Sequence, residues 1–177
     1  TVVVWGDNSH GQLAVGYKGG IIEPTLSLYT NVKSVHAGDK FSLVVTESGK
    51  VLGSGNNAFG QLGTKGKSEI FFPTDILGLK DVDLLKSKES LTIAVLKTGK
   101  GYVWGNFNGL TSKPILEPTE IPGISYVKHV ANNGKKCFII DVNFNFFIVT
   151  DLSGKYEKRD MFENFYDFVE YEDSKSR

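Results

Sequence analysis

The sequence contains a single cysteine, Cys137, among 177 residues. An intrachain disulfide and a Cys-x-x-Cys metal or redox motif are therefore excluded. Cys137 lies beside Phe138 and Ile139, so we expect it to be an apolar filler. Because disulfides are rare in reducing compartments, their absence indicates an intracellular protein of the cytoplasm or nucleus, with the mitochondrion left open.

Net charge and a long apolar run are also missing. Twenty Lys and Arg residues balance twenty Asp and Glu residues, so no net field favours nucleic acid or an acidic surface. The most apolar run, residues 138–149, is interrupted by Asp141, Asn143 and Asn145. Such a run cannot cross a bilayer. The sequence therefore predicts no membrane span, and it gives no strong indication of a nucleic-acid partner.

No motif for catalysis or cofactor binding stands out. The three histidines have no partner at metal-ligand spacing. Residues 63–68 end like a phosphate-binding loop, but Gly60 stands one residue too early for the spacing that this loop needs. Gly53-Ser54-Gly55 is the nearest match to a nucleophile elbow and is incomplete. We therefore expect no enzyme activity, no catalytic residue, no metal and no cofactor.

Glycine, by contrast, is abundant, with 20 residues, and it marks an internal repeat. The stretch 53–63 has another copy at 4–14, which shares its Asn, Gly-Gln and Leu positions. An eroded third copy occupies residues 103–110. The glycine that follows Trp5, Ser54 and Trp104 recurs after 49 and then 50 residues, at Gly6, Gly55 and Gly105. A fixed period of this size indicates stacked supersecondary units.

Within each period, β-branched and aromatic runs alternate with glycine turns. In the first period, runs at 2–5, 24–26, 32–37 and 41–46 predict four short strands, of which the first is buried on both faces. Four-stranded units with this period are blades of a β-propeller. We therefore predict an all-β fold: a partial β-propeller of about three four-stranded blades plus a remnant of a fourth.

The glycine hairpins divide the chain. The predicted repeats cover approximately residues 1–49, 50–99 and 100–144, with a remnant at 145–154. Residues 155–177 form a divergent C-terminal segment, for which a short amphipathic helix and an irregular strand fit almost equally well.

The repeated pattern carries a family signature. It reads Trp-Gly-x-Asn-x-x-Gly-Gln-Leu, then Pro-Thr, then Val-x-x-Val-x-x-Gly, then Leu-Val-Val-Thr-x-x-Gly. Over residues 2–150 this pattern resembles the RCC1 (regulator of chromosome condensation) repeat family. Kelch repeats have a similar period, but their diglycine follows a strand, whereas Gly19-Gly20 falls in a predicted long loop.

The resemblance implies a propeller that normally has seven blades. Three blades are fewer than the four to eight that close a ring. Thr1 leads directly into a strand with no initiator Met. We therefore expect an excerpt of a longer polypeptide, in which the parent chain supplies the missing blades.

The resemblance also suggests what the chain does. The founding member of the family is a nucleotide-exchange factor for the small GTPase Ran, and other members are regulators or scaffolds. In the exchange factor, histidine and acidic residues in the blade turns carry activity. The resemblance places the histidine position at Phe41, Ser90 and Lys136. It places the acidic position at Lys40, Glu89 and Lys135, of which only Glu89 is acidic. These departures favour a non-enzymatic protein–protein interaction module over the alternative, a guanine-nucleotide exchange factor for a Ran-like small GTPase.

The predicted partner-binding residues are four aromatic residues, expected in exposed variable loops, together with one acidic residue: Tyr17, Phe71, Phe72, Phe107 and Glu89. Aromatic side chains are common anchors of protein interfaces. We therefore expect a protein partner, with a small GTPase as one candidate. Trp5 and Trp104 are expected to pack between blades instead.

Overall fold

The structure is a computed structural model that describes residues 1–107, 113–159, 167–170 and 174. Its strands form four antiparallel sheets, which we label A to D in chain order. Sheet A has two strands, β1 (Val3–Asn8) and β2 (Gly19–Leu26). The strands of sheet B are β3 (Val32–Ala37), β4 (Phe41–Thr46), β5 (Val51–Asn56) and β6 (Glu69–Asp75).

Sheets C and D repeat the pattern of sheet B. Sheet C contains β7 (Val82–Lys88), β8 (Leu91–Leu96), β9 (Gly101–Gly105) and β10 (Ile115–Glu120). Sheet D contains β11 (Val127–Asn132), β12 (Cys137–Asp141), β13 (Phe146–Val149) and β14 (Glu157–Arg159). Strands that follow each other in the chain are hydrogen-bonded neighbours in every sheet. The prediction of an all-β chain with three four-stranded blades and part of a fourth is confirmed.

Each complete sheet combines two sequence repeats. In sheet B, β3 and β4 precede the glycine hairpin at Gly49, and β5 and β6 follow it. The first strands of neighbouring sheets contact each other, so they form the inner edge of the stack. The incomplete sheet is therefore sheet A, which has only the outer strand pair. Residues 146–149, in the predicted remnant, instead form β13 of a complete sheet. The repeat boundaries themselves remain a prediction.

Apolar cores lie between successive sheets. Between sheets A and B the core contains Ala14, Tyr29 and Val44. The core between sheets B and C includes Phe41, Leu43, Val45, Leu85, Ala94 and Trp104. That between sheets C and D includes Leu91, Ile93, Val95, Val130, Cys137 and Ile139. Cys137 is thus a buried free thiol, and burial raises its pKa far above the ordinary range. The stack is held by sheet-on-sheet burial of apolar side chains.

A helical turn covers the outward face of sheet D. Residues 167–170 are helical, and Phe168 is fully buried there. The Phe168 ring meets Phe138 edge-on at 5.7 Å and lies tilted against Phe146 at 5.1 Å. The C-terminal segment thus contributes both a strand, β14, and a helical turn. No helix in the described ranges is long and apolar enough to cross a membrane.

The first strand differs from its prediction. Val2–Trp5 were expected to be buried on both faces, but Val3 is 51% and Trp5 67% exposed. The physical reason is that no sheet packs on this face of β1 in the described structure, whereas sheet B packs on the equivalent face of β9, which carries Trp104. The expectation that Trp5 packs between blades is therefore wrong.

Candidate functional site

The first glycine loop, between β1 and β2, is held by Asn8. The Asn8 side chain is fully buried; its Nδ2 donates to the Tyr17 carbonyl at 2.8 Å, and its Oδ1 accepts from the Leu13 amide at 3.1 Å. Asn57 does the same in the second loop, donating to the Thr64 carbonyl at 2.7 Å and accepting from the Leu62 amide at 3.0 Å. The repeated Asn is thus an internal brace, which satisfies loop backbone groups that would otherwise be orphaned.

This loop packs closely on β6 of the next sheet. Gly11 has φ +80, and a Cβ built on it would lie 2.4 Å from Phe71 Cδ1. The Gly16 amide donates to the Phe71 carbonyl at 3.0 Å. Ser54 Oγ donates to the Gly11 carbonyl at 2.5 Å and thereby fixes the other side of the loop. The β1–β2 loop and strand β6 of sheet B therefore form one rigid surface.

Aromatic and aliphatic side chains cluster on that surface. Tyr17, next to Gly16 in the loop, is 53% exposed and Phe72 is 57% exposed, whereas Phe71 is half-buried against Gly11. The Phe72 ring and the Leu28 side chain both flank Gly16, at 3.1 and 3.5 Å from its built Cβ. We call Tyr17, Leu28, Phe71 and Phe72 the rim patch. Phe71 and Phe72 lie in strand β6 rather than in the loop expected for them.

Polar groups border one edge of the rim patch. Lys18 Nζ lies 2.7 Å from Glu69 Oε2 and 5.9 Å from the centroid of the Phe71 ring. His10 Nε2 lies 3.9 Å from the other oxygen of Glu69. Because these groups are partly exposed, their ion pairs add little stability. An apolar centre with a charged border is nevertheless the usual composition of a protein interface.

The sequence does not indicate that Leu28, which is 47% exposed, belongs to this surface. It lies outside the strands, just after β2, where one isolated leucine carries no periodic signal. Only the close packing of the loop against sheet B shows that Leu28 belongs with the predicted aromatic residues.

Phe107 is buried, although the sequence predicts that it is exposed. It is 1% exposed and belongs to the core between sheets C and D. The adjacent Asn106 amide donates to the Ser90 carbonyl at 2.9 Å, which ties the chain to the β7–β8 turn. The expectation of an exposed Phe107 is wrong because its side chain packs into the apolar core between sheets C and D.

Glu89 is exposed in the β7–β8 turn, apart from the rim patch. Its backbone carbonyl accepts from the Asp39 amide at 2.8 Å, which links the turns of sheets B and C. Its carboxyl packs on Gly134, whose built Cβ would lie 2.7 Å from Glu89 Cδ. The structure therefore joins Tyr17, Phe71 and Phe72, and leaves Glu89 and Phe107 elsewhere.

Strand register corrects one match in these turns. Phe41 pairs with Gly55, and the residue that pairs with Gly105 is Leu91. Leu91, not Ser90, is therefore the equivalent of Phe41, and Glu89 matches Asp39 and not Lys40. With this alignment Lys40 matches Ser90, so Glu89 no longer lies at the acidic position. The histidine position, now Phe41, Leu91 and Lys136, still contains no histidine.

Among the described residues no group of three or more His, Cys, Asp or Glu side chains could hold a metal ion. Trp104 is fully buried, and its Nε1 donates to the Gln61 carbonyl at 3.0 Å, so its predicted packing between sheets is confirmed.

Comparison with known proteins agrees with this architecture. The family model of the regulator of chromosome condensation (RCC1) repeat matches residues 32–61. The RCC1 domain-containing protein RUG3, mitochondrial, of Arabidopsis thaliana is 32% identical over 126 residues, which are 66% of this chain. The chain therefore contains an RCC1 repeat and is similar to RCC1-repeat proteins over a longer stretch.

Two further proteins are similar to this RCC1-repeat chain. The X-linked retinitis pigmentosa GTPase regulator of Canis lupus familiaris is 29% identical over 109 residues, 58% of the chain. The yeast RCC1 protein Prp20, in its crystal structure bound to Kap60, superposes with a TM-score of 0.71 at 16% identity and covers 82% of the chain. At that identity the superposition shows a shared fold.

The chain spans only part of each of these proteins. It covers 28% of the Arabidopsis protein, 11% of the canine regulator and 38% of the yeast structure. In the described part of the chain the sheets do not close into a ring.

Proposed function

We propose that this RCC1-repeat chain is a non-enzymatic protein-interaction module that binds a protein partner through the rim patch. The observation that carries the proposal is the assembly of Tyr17, Phe71 and Phe72 from two sequence repeats on one rigid surface. Exposed aromatic side chains on a rigid support lose little conformational entropy on binding, which suits them as interface anchors.

Alanine variants test this proposal. Because Tyr17 and Phe72 are both more than half exposed, Tyr17→Ala and Phe72→Ala should leave the fold intact. Each is expected to weaken binding of a partner that co-purifies with the full-length protein at least about tenfold, which is about 1.4 kcal/mol. Titration calorimetry with the purified partner measures the loss.

The matched control is Phe144→Ala. Phe144 is 64% exposed, but it lies in the β12–β13 turn of sheet D, where Lys128 Nζ stacks 4.8 Å from its ring. This variant should bind like the wild type. Equal affinities for the Tyr17, Phe72 and Phe144 variants would refute the rim patch as the binding surface.

The alternative function is guanine-nucleotide exchange on a Ran-like small GTPase. It is supported by the resemblance to the founding family member and by the relative named as a GTPase regulator. The absence of histidine at Phe41, Leu91 and Lys136 weighs against it.

An exchange assay separates the two functions. The full-length protein is mixed with a GTPase loaded with fluorescent GDP, and release is followed over time. The interaction-module proposal predicts the intrinsic release rate, whereas a catalytic acceleration of release that depends on protein concentration would establish the alternative.

The remaining parts of the proposal concern the cellular setting. We infer that the parent chain supplies the missing blades, since this chain spans 28% of its Arabidopsis relative. An intracellular location, in the cytoplasm, nucleus or mitochondrion, is supported by the lone buried thiol of Cys137 and by the mitochondrial relative.

A further inference from the structure

The β12–β13 turn of sheet D carries exposed apolar side chains. Val142 is 51% and Phe144 64% exposed in this turn, and Tyr126, in the loop before β11, is 67% exposed. The Val142 amide donates to the Tyr126 carbonyl at 3.0 Å, which holds the turn and the loop together. We call Tyr126, Val142 and Phe144 the hairpin patch.

Sheets B and C have other residue types at these positions. In all three sheets the amide of the first turn residue donates to the carbonyl of the loop residue. The pairs are Glu47–Asn31 in sheet B, Lys97–Asp81 in sheet C and Val142–Tyr126 in sheet D. The third turn residue is Gly49, Gly99 or Phe144. Sheet D therefore has apolar side chains where the other two sheets have charged residues, asparagine or glycine.

Both aromatic residues of the hairpin patch have a left-handed backbone. The φ angle is +55 at Tyr126 and +61 at Phe144. Asn31 and Asp81 have φ +52 and +53 at the loop position, and glycine occupies the turn position; these residue types adopt the left-handed region more readily. A bulky side chain there is an outlier, and such strain concentrates at binding and active sites. The hairpin patch is therefore a candidate binding surface.

Two lysines border the hairpin patch. Lys128 Nζ lies 4.8 Å from the centre of the Phe144 ring. Lys97 lies in the neighbouring turn of sheet C, where a Cβ built on Gly99 would lie 2.9 Å from Tyr126 Cα. Neither lysine forms an ion pair with a residue that the structure describes, whereas Lys18, Lys50, Lys65 and Lys100 are all paired with carboxylates.

The carboxylate of the β12–β13 turn is already occupied. Asp141 is 8% exposed, and its Oδ1 accepts from the Asn143 and Asn145 amides at 2.9 and 3.0 Å. Its Oδ2 accepts from Asn145 Nδ2 at 2.8 Å. Although the whole chain has no net charge, the ammonium groups beside the hairpin patch are thus available to an anionic partner.

We propose that the hairpin patch binds the surface of a membrane that contains anionic lipids. The three apolar side chains enter the boundary between headgroups and acyl chains, where tyrosine is enriched. The two lysines bind the anionic headgroups. Lys128 already has the required arrangement, because its ammonium group lies over an apolar ring that it can leave for the headgroup layer.

A lipid surface suits these residues better than a folded protein does. The patch is formed by the tips of two turns, and a fluid bilayer adapts to such tips without a complementary surface of its own. Because its partner is a lipid, the hairpin patch does not compete with the rim patch, and Phe144 remains a valid control for protein binding there.

Vesicle flotation tests the proposal with the full-length protein. The probes are vesicles of phosphatidylcholine alone and of phosphatidylcholine mixed with phosphatidylserine. The wild type is expected to float with the mixed vesicles and to be released as salt rises, because exposed charges are screened. Lys128→Gln is expected to lower partition about fivefold. Lys88→Gln alters an exposed lysine at the other end of its sheet and should partition like the wild type.

Sheet B supplies variants that separate binding from folding. Tyr126→Asn and Phe144→Gly introduce the residue types that sheet B has at these positions, so neither should lower the unfolding temperature. Each is expected to lower partition into the mixed vesicles at least about tenfold. Phe59→Ala alters a phenylalanine that is 47% exposed in the second glycine loop, and it should partition like the wild type.

A Tyr126→Trp variant locates the contact. Brominated acyl chains quench an indole that enters the bilayer, so vesicles with brominated lipid should quench this variant. The wild type is the control and should not be quenched, because Trp104 is fully buried and Trp5 lies in sheet A.

Four results would overturn the proposal. They are no partition of the wild type into the mixed vesicles, equal partition into both kinds of vesicle, equal partition of Phe144→Gly and Phe59→Ala, and an unquenched Tyr126→Trp variant. Loss of a co-purifying protein from Phe144→Gly, with vesicle binding unchanged, would also overturn it and would assign the hairpin patch to a protein partner.

Discussion

Replacing Trp104 with alanine is expected to lower the free energy of unfolding by about 3–5 kcal/mol. The Trp104 side chain is fully buried in the core between sheets B and C. Its removal leaves a cavity there. The Gln61 carbonyl, to which Nε1 donates at 3.0 Å, also loses its hydrogen-bond donor. Urea denaturation, followed by circular dichroism, measures the loss. Trp104→Phe should retain most of the packing and show a smaller loss.

Trp5→Ala is the control for this prediction. Trp5 occupies in the first repeat copy the position that Trp104 occupies in the third, but Trp5 is 67% exposed. Its replacement should change the free energy of unfolding by no more than about 0.5 kcal/mol, because little surface becomes newly exposed. Similar losses for the two variants would contradict the assignment of Trp104 to the core between sheets.

Gly105→Ala is expected to be the second large effect, a loss of about 2–5 kcal/mol of the free energy of unfolding. A Cβ at Gly105 would meet the Ser90 carbonyl oxygen below van der Waals distance, and this oxygen accepts from the Asn106 amide at 2.9 Å. Gly105 also has φ +94, where a Cβ adds backbone strain of about 1–2 kcal/mol. Displacement of packed backbone accounts for the rest, about 1–3 kcal/mol.

Gly6→Ala separates the two causes. Gly6 has φ +99, close to that of Gly105, but nothing lies within 4 Å of its built Cβ. It should lose only the strain of about 1–2 kcal/mol. Thermal unfolding of both variants measures the difference, and an equal loss would show that the close packing of β9 on the β7–β8 turn contributes nothing.

The strands themselves could be predicted, because alternating apolar residues and glycine turns are local signals. The offset of half a repeat between sequence copies and sheets could not. It depends on which strands pair across Gly49 and Gly99, and a repeat period is the same wherever its boundary is drawn. The complete sheet D and the incomplete sheet A follow from that pairing.

The burial of individual residues could not be predicted from the sequence either. Trp5 and Trp104 have the same repeat position, yet one is exposed and the other fully buried, because only one has a sheet packed on its face. Phe107 was expected outside and lies in a core. The rim patch was partly predicted: Tyr17, Phe71 and Phe72 were named, but their meeting depends on the contact of Gly11 with Phe71.

Site-specific photocrosslinking tests the proposed binding surface most directly. A photoreactive phenylalanine analogue is placed at Phe72 or, as the control, at Phe144 in the full-length protein expressed in its own cells. Both positions are exposed, at 57% and 64%. The rim-patch proposal predicts a discrete protein adduct at position 72 that is missing at position 144 and is reduced by Tyr17→Ala. The same adduct at both positions, or one at position 144 alone, would contradict it.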